Sequence, residues 1–218
     1  MKCLIASLAL LCVIALTVPA FAANVYDNGP VNGESDAWTI NFGLIVTDSF
    51  TVSNGNGNIG GIDFYAWLIP GDSITSVQVQ IGSQEFGNNL LDTFTTLTQS
   101  NCFANNYGYN VCMESGTFSG VNLANGNYWV TLQNANVPSG DPVYWDENSG
   151  IGCQSQGCPS QADCNSCITR QLIYSEAFTL TGQSTTTTTT GTTPEPGSFL
   201  LFGSGFLVVI GFLRRKLF

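Results

Sequence analysis

The densest set of groups able to do chemistry lies in DPVYWDENSG at residues 141–150, where Tyr144 and Trp145 run directly into Asp146, Glu147 and Asn148. Aromatic rings stack on the apolar faces of sugars while carboxylates and amides bind hydroxyls, which makes this a candidate glycan site. With Asp141, the pair Asp146 and Glu147 also offers the hard oxygen ligands that Ca2+ takes. The competing expectation is structural: Trp145 in the core and the acids in a solvated loop. Glycoside hydrolysis fits poorly, because it needs two carboxyls facing one bond whereas adjacent strand residues point to opposite faces. The chain also contains no histidine, and so lacks the usual general base, nucleophile activator and metal ligand. The residues therefore predict a non-catalytic protein with no catalytic residue, no metal centre and no cofactor beyond the candidate Ca2+. The alternatives to a glycan-binding surface protein are a calcium-dependent adhesive module and, below it, a carboxylate-only secreted hydrolase.

Charge narrows the partners. Between Asn24 and Thr193 fourteen acids face one cation, Arg170. Nucleic acid is excluded, since binding it rests on Lys and Arg neutralising phosphates, and an anionic lipid surface would be repelled. Six cysteines follow the first two, Cys3 and Cys12, and in an oxidising setting they should pair. Cys102 and Cys112 flank the turn-rich FANNYGYN, as a bridge closing a hairpin would. Cys153, Cys158, Cys164 and Cys167 crowd into GCQSQGCPSQADCNSC, too tightly spaced for a zinc ribbon. That segment is predicted to be a disulfide-stapled loop.

The elements that must position these groups are strands. In ITSVQVQIG, Val77, Val79 and Ile81 alternate with Ser76, Gln78 and Gln80; in GNYWVTLQN, Tyr128, Val130 and Leu132 alternate with Trp129, Thr131 and Gln133. AWTINFG, VTDSFTVS, GIDFYAWLIP, Met113–Phe118 and IYSEAFTLTG are less regular candidates, with Trp38, Trp67 and Trp129 expected to pack. NGNGNIGG at 54–61 reads as a hairpin connection or irregular loop rather than a calcium loop, because it lacks alternating acids. No window outside the two apolar ends shows a helical period. The predicted fold is all-β: an antiparallel, jelly-roll-like β-sandwich over residues 24–182, with an up-and-down barrel as its rival.

The ends address the protein. Residues 1–23 combine Lys2, an apolar run and Ala20-Phe21-Ala22, the order of a cleavable signal peptide. After Gly182 a Thr-rich linker, 183–193, gives way to Pro194-Glu195-Pro196, an uncharged stretch at 197–213, and Arg214-Arg215-Lys216. Seventeen helical residues reach about 25 Å, enough to cross a slightly thinned bilayer with the cations on the cytoplasmic side. This three-part order over 194–218 resembles the PEP-CTERM sorting domain of Gram-negative bacteria that make exopolysaccharide. The resemblance implies recognition of Pro194, Glu195 and Pro196 by an integral-membrane exosortase, cutting near the membrane, and transfer to the envelope or extracellular matrix. Exopolysaccharide is the candidate partner, bound through exposed aromatics and acids. The terminal Leu217-Phe218 departs from the usual basic end. The ectodomain is similar, through VYDNGP, YWVTLQNA, YWDENSG and SEAFTL, to exported proteins with this tail, which implies a shared β-rich domain and no particular activity.

Overall fold

The computed structural model describes residues 23–55, 57–148, 162–165 and 171–183. Residues 1–22, the Thr-rich run, the 197–213 stretch, the sorting residues Pro194 to Pro196 and Arg214 to Lys216, and Cys153, Cys158 and Cys167 lie outside them. The described residues contain twelve strands and no helix: β1 Asn24–Asp27, β2 Ala37–Thr39, β3 Ile45–Val52, β4 Asn58–Leu68, β5 Ser76–Gln84, β6 Gly87–Ala104, β7 Asn110–Asn122, β8 Gly126–Asn136, β9 Tyr144–Asp146, β10 Ala162–Asn165, β11 Gln171–Ile173 and β12 Phe178–Gly182.

All pairings are antiparallel, in the order β1-β12-β4-β7-β6-β5-β8-β3-β10-β11, with β9 joining β4 to β2. The all-β expectation stands, but two separate sheets do not: the fold is one sheet curled into a half-barrel. The physical reason is β6. Its first part, Gly87 to Thr96, pairs with β5, and its second, Leu97 to Ala104, pairs with β7, so one strand of 18 residues carries both wings. At the switch Gly116 faces Leu97, and a Cβ there would stand 2.8 Å from Thr95 Cγ2. Only a residue without a side chain lets the bend close this tightly.

The core fills the space between the wings. Val77, Val79 and Ile81 of β5 and Val130 and Leu132 of β8 meet Ile62, Phe64, Ala66 and Leu68 of β4, with Phe50 and Phe178 also fully or almost fully buried. Each of these Val, Leu, Ile and Phe side chains contributes roughly 1.5–3 kcal/mol of apolar burial. The open ends approach through rings rather than a ladder: Tyr26 of β1 lies 5.8 Å from Phe50 of β3 and 5.7 Å from Phe178 of β12.

Two expectations change in detail. IYSEAFTLTG is not one strand; β11 ends at Ile173 and β12 begins at Phe178, with Tyr174 to Ala177 crossing between them. The Cys-rich stretch is not wholly a projecting loop, because Ala162–Asn165, including Cys164, pairs with β3. Cys102 and Cys112 are joined at the β6–β7 hairpin, and Cys112 itself is core.

One core position is an acid. Glu114 of β7 is in phase with Cys112, opposite Phe64 and Gln99, and neither of its oxygens has a hydrogen-bond partner. Burial pushes its pKa up to about 8. Because the folded value lies above the unfolded one, stability is greatest below about pH 4.5 and falls as pH rises toward 8. Glu114→Gln removes that loss, and urea denaturation should find the variant more stable than the parent by about 2–4 kcal/mol at pH 8 with little difference near pH 5. Replacing Cys102 by Ser should cost about 2–3 kcal/mol in the same assay, as expected for a loop this short.

Candidate functional site

Strand alternation divides the segment that the sequence groups together. On β9, Trp145 pairs with Trp38 and Ala66 on the inner side, while Tyr144 pairs with Trp67 on the outer side. Trp145 is wholly buried, edge-on to Phe64 and Phe178, and its Nε1 donates to Ala177 O at 3.1 Å. A sugar ring cannot reach it. Asp146, Glu147 and Asn148 are buried too, so the glycan site expected over residues 144–148 reduces to Tyr144. The physical reason is that β9 is an interior strand of the sheet, held between β2 and β4. Asp141 lies in the loop before β9, and among the described residues no three acidic or thiol groups converge in a metal-binding geometry.

Asp146 instead fastens a loop. It faces outward but is covered by residues 28–36, accepting from Asn32 N at 2.8 Å, Gly33 N at 2.9 Å and the indole Nε1 of Trp67. Gly33 has φ +72°, and a Cβ on it would stand 2.9 Å from Phe103 Cε2. Burial raises the Asp146 pKa to about 6 against these three hydrogen bonds, which lower it.

Inside, a group of acids meets where the open ends of the sheet come together. Asp48 of β3 occupies the inward phase of Val46, Phe50 and Val52. Its Oδ2 accepts from Asn28 Nδ2 at 3.0 Å, Ser175 Oγ at 2.7 Å and Glu176 N at 2.7 Å. Glu147 accepts from Trp38 Nε1 at 3.1 Å and lies directly opposite Glu176 in an isolated bridge. Burial lifts Glu147 to about 7, with Trp38 opposing and Asp36 and Asp146 adding to the rise. Glu176 is driven well above the usual carboxyl range, first by burial and then by Asp48, Glu147, Asp146 and Asp36. Asn148 closes the ring by donating from Nδ2 to Asn28 O at 2.7 Å. Sequence reasoning found Asp146, Glu147 and Asn148 but missed Asn28, Asp48 and Glu176. For Asp48 the signal was available: an acid in step with the apolar positions of an alternating strand.

On the outer face the rings of Trp67, Tyr107, Tyr109 and Tyr144 form a ledge. Tyr107 stacks on Trp67 at 5.5 Å and 19°, and Tyr109 bridges to Tyr144 at 5.6 Å. The ledge is rigid because Asn105 Oδ1 accepts from Tyr107 N and Tyr109 N, both at 3.0 Å, within the hairpin closed by Cys102–Cys112. Tyr107 remains 60% exposed. Beside it Asn106 Nδ2 donates to Glu34 at 2.7 Å.

Comparison with known families finds the PEP-CTERM protein-sorting motif at residues 192–216. The chain thus carries the signal of an exported protein processed at the membrane by an exosortase on its way to the cell envelope. No curated protein and no solved structure shows significant similarity to it.

Asp146→Ala should leave two backbone amides and an indole N–H without their acceptor, at a cost of about 3 kcal/mol, while Asp146→Asn, which keeps one acceptor oxygen, should lose less. Thermal unfolding followed by tryptophan fluorescence checks both the order and the size.

Proposed function

We propose that the protein is a non-catalytic component of the envelope or extracellular matrix of a Gram-negative bacterium, delivered by its C-terminal signal and holding exopolysaccharide on the Tyr107 ledge. The observation that carries this reading is the sorting motif at 192–216, which supports export toward the envelope. Its N-terminal companion is the leader at residues 1–23. In the exosortase step Pro194, Glu195 and Pro196 supply the recognised motif, and Arg214, Arg215 and Lys216 hold the end of the apolar stretch on the cytoplasmic side.

Two features favour binding over catalysis. The clustered carboxylates of Asp48, Asp146, Glu147 and Glu176 are sealed from solvent, so no glycosidic bond reaches them, whereas Tyr107 presents an aromatic face outward. One face of its ring is occupied by Trp67 and the other suits the apolar face of a pyranose. Preorganisation by the disulfide and Asn105 lowers the ordering cost of binding. Asn106 and Glu34 at the rim supply groups for sugar hydroxyls. The charged group described at the rim is the acid Glu34, so the ledge matches a neutral glycan rather than an acidic one.

Replacing Pro194, Glu195 and Pro196 with alanine should make the unprocessed precursor accumulate in the membrane fraction, seen as a larger band on immunoblots; normal processing would refute the sorting role. Tyr107→Ala should weaken retention on a column of the producing strain's neutral polysaccharide by about tenfold, the loss of roughly 1.4 kcal/mol, with thermal stability nearly unchanged.

A further inference from the structure

Glu176 is wholly buried, and neither carboxyl oxygen accepts a hydrogen bond. An ionised carboxylate in that position would be an uncompensated charge, one of the costliest things a protein interior can hold. Among the described residues, the titratable groups that face it are all acids: Asp48 from β3, Asp146 at the end of β9 with Glu147 next to it, and Asp36 from the segment before β2. Arg170, the one cation between residues 24 and 193, lies outside the described residues.

A metal ion does not fit the partners available. Asp146 accepts at both oxygens from Asn32, Gly33 and Trp67, and Asp48 Oδ2 already accepts three hydrogen bonds. Among the described residues no three acids are grouped so as to hold a metal ion, far short of the six to eight oxygens Ca2+ takes. A proton neutralises the same site with no ligand at all.

The position gives that proton leverage. The crossing from Tyr174 to Ala177 is held to three elements: Glu176 N donates to Asp48 of β3 at 2.7 Å, Ala177 N to Asp146 O of β9 at 2.7 Å, and Ala177 O accepts from Tyr65 N of β4 at 3.3 Å. Asn148 N donates to Ser175 O at 2.8 Å, and Asn28 N to Phe178 O at 2.8 Å. The bonds to Tyr65 and Asn28 extend the β12–β4 and β1–β12 ladders, while the bond from Glu176 N to Asp48 reaches β3, which pairs with neither β1 nor β12.

We propose that this junction is a proton-operated latch: Glu176 is held as the neutral acid while the sheet is closed, and release of its proton to the surrounding buffer loosens the 174–177 crossing from β3 and β9. The raised pKa values set the direction. Carboxyls whose folded values lie above the unfolded ones stabilise the closed state most at acid pH and progressively less as pH rises through the folded values. Glu147, at about 7, enters the same range and adds like charge across the bridge. The latch is therefore shut in acid and weakened in mild alkali.

Hydrogen exchange on the full chain in mild detergent, corrected for intrinsic rates, tests this by following the amides of Asn28, Asn148, Glu176 and Ala177. Their protection should drop about tenfold or more between about pH 5.5 and pH 8.5, while the β5–β8 ladder stays protected. Glu176→Gln, which cannot ionise, should keep its protection at both pH values. Equal protection of the parent at the two pH values overturns the latch, and so does a Glu176→Gln variant that loses protection as the parent does. If that variant does not fold, the parent's pH dependence decides alone. Calcium chloride that restores the parent's protection at the higher pH would assign the carboxyl to a cation and overturn the proton reading.

Discussion

A sheet that curls without closing must hold its two ends together by something other than a ladder of backbone bonds. In this protein that task falls to Asp48, whose Oδ2 gathers the amide of Asn28, the hydroxyl of Ser175 and the backbone N–H of Glu176. Hydrogen bonds to an ionised acceptor are stronger than neutral ones, on the order of 1.5–3 kcal/mol each. Three donors converging on one buried oxygen tie β3 to the segments flanking β1 and β12. The rings of Tyr26, Phe50 and Phe178 then pack across the same gap. The polar contact sets which residues face each other, and the apolar contact makes the arrangement worth keeping.

The scarcity of cations explains the rest of the interior chemistry. Asp146 keeps its charge more easily than Glu147 because it has three donors against one. Glu176 and Glu114 have none, and burial raises both furthest. Position along the chain matters less than the count of N–H groups within reach.

The same alternation that creates the core also separates the two functional regions. Tyr144 and Trp145 are adjacent in sequence, yet one belongs to the aromatic ledge and the other to the centre of the fold. The ledge draws its other rings from β4 and the β6–β7 hairpin, more than thirty positions away in sequence, which is why no local motif announces it. β6 escaped notice for a related reason. Because it changes partners midway, its buried positions form no continuous stripe, and the period-two pattern that marks β5 and β8 is absent.

By itself the sequence determined the all-β class of the fold and the presence of the sorting signal. Alternating residues in β5 and β8, the order of the C-terminal signal, and the lack of histidine are local or compositional properties and need no neighbours to be read. Tertiary structure alone decided that the sheet is continuous, that Trp145 is core, and that Asp48, Glu147 and Glu176 meet. Those outcomes depend on which strands pair and where β6 bends, and pairing is a relation between segments far apart in the chain. A carboxyl's protonation state follows from that meeting, since burial and like charge act through space and not along the backbone.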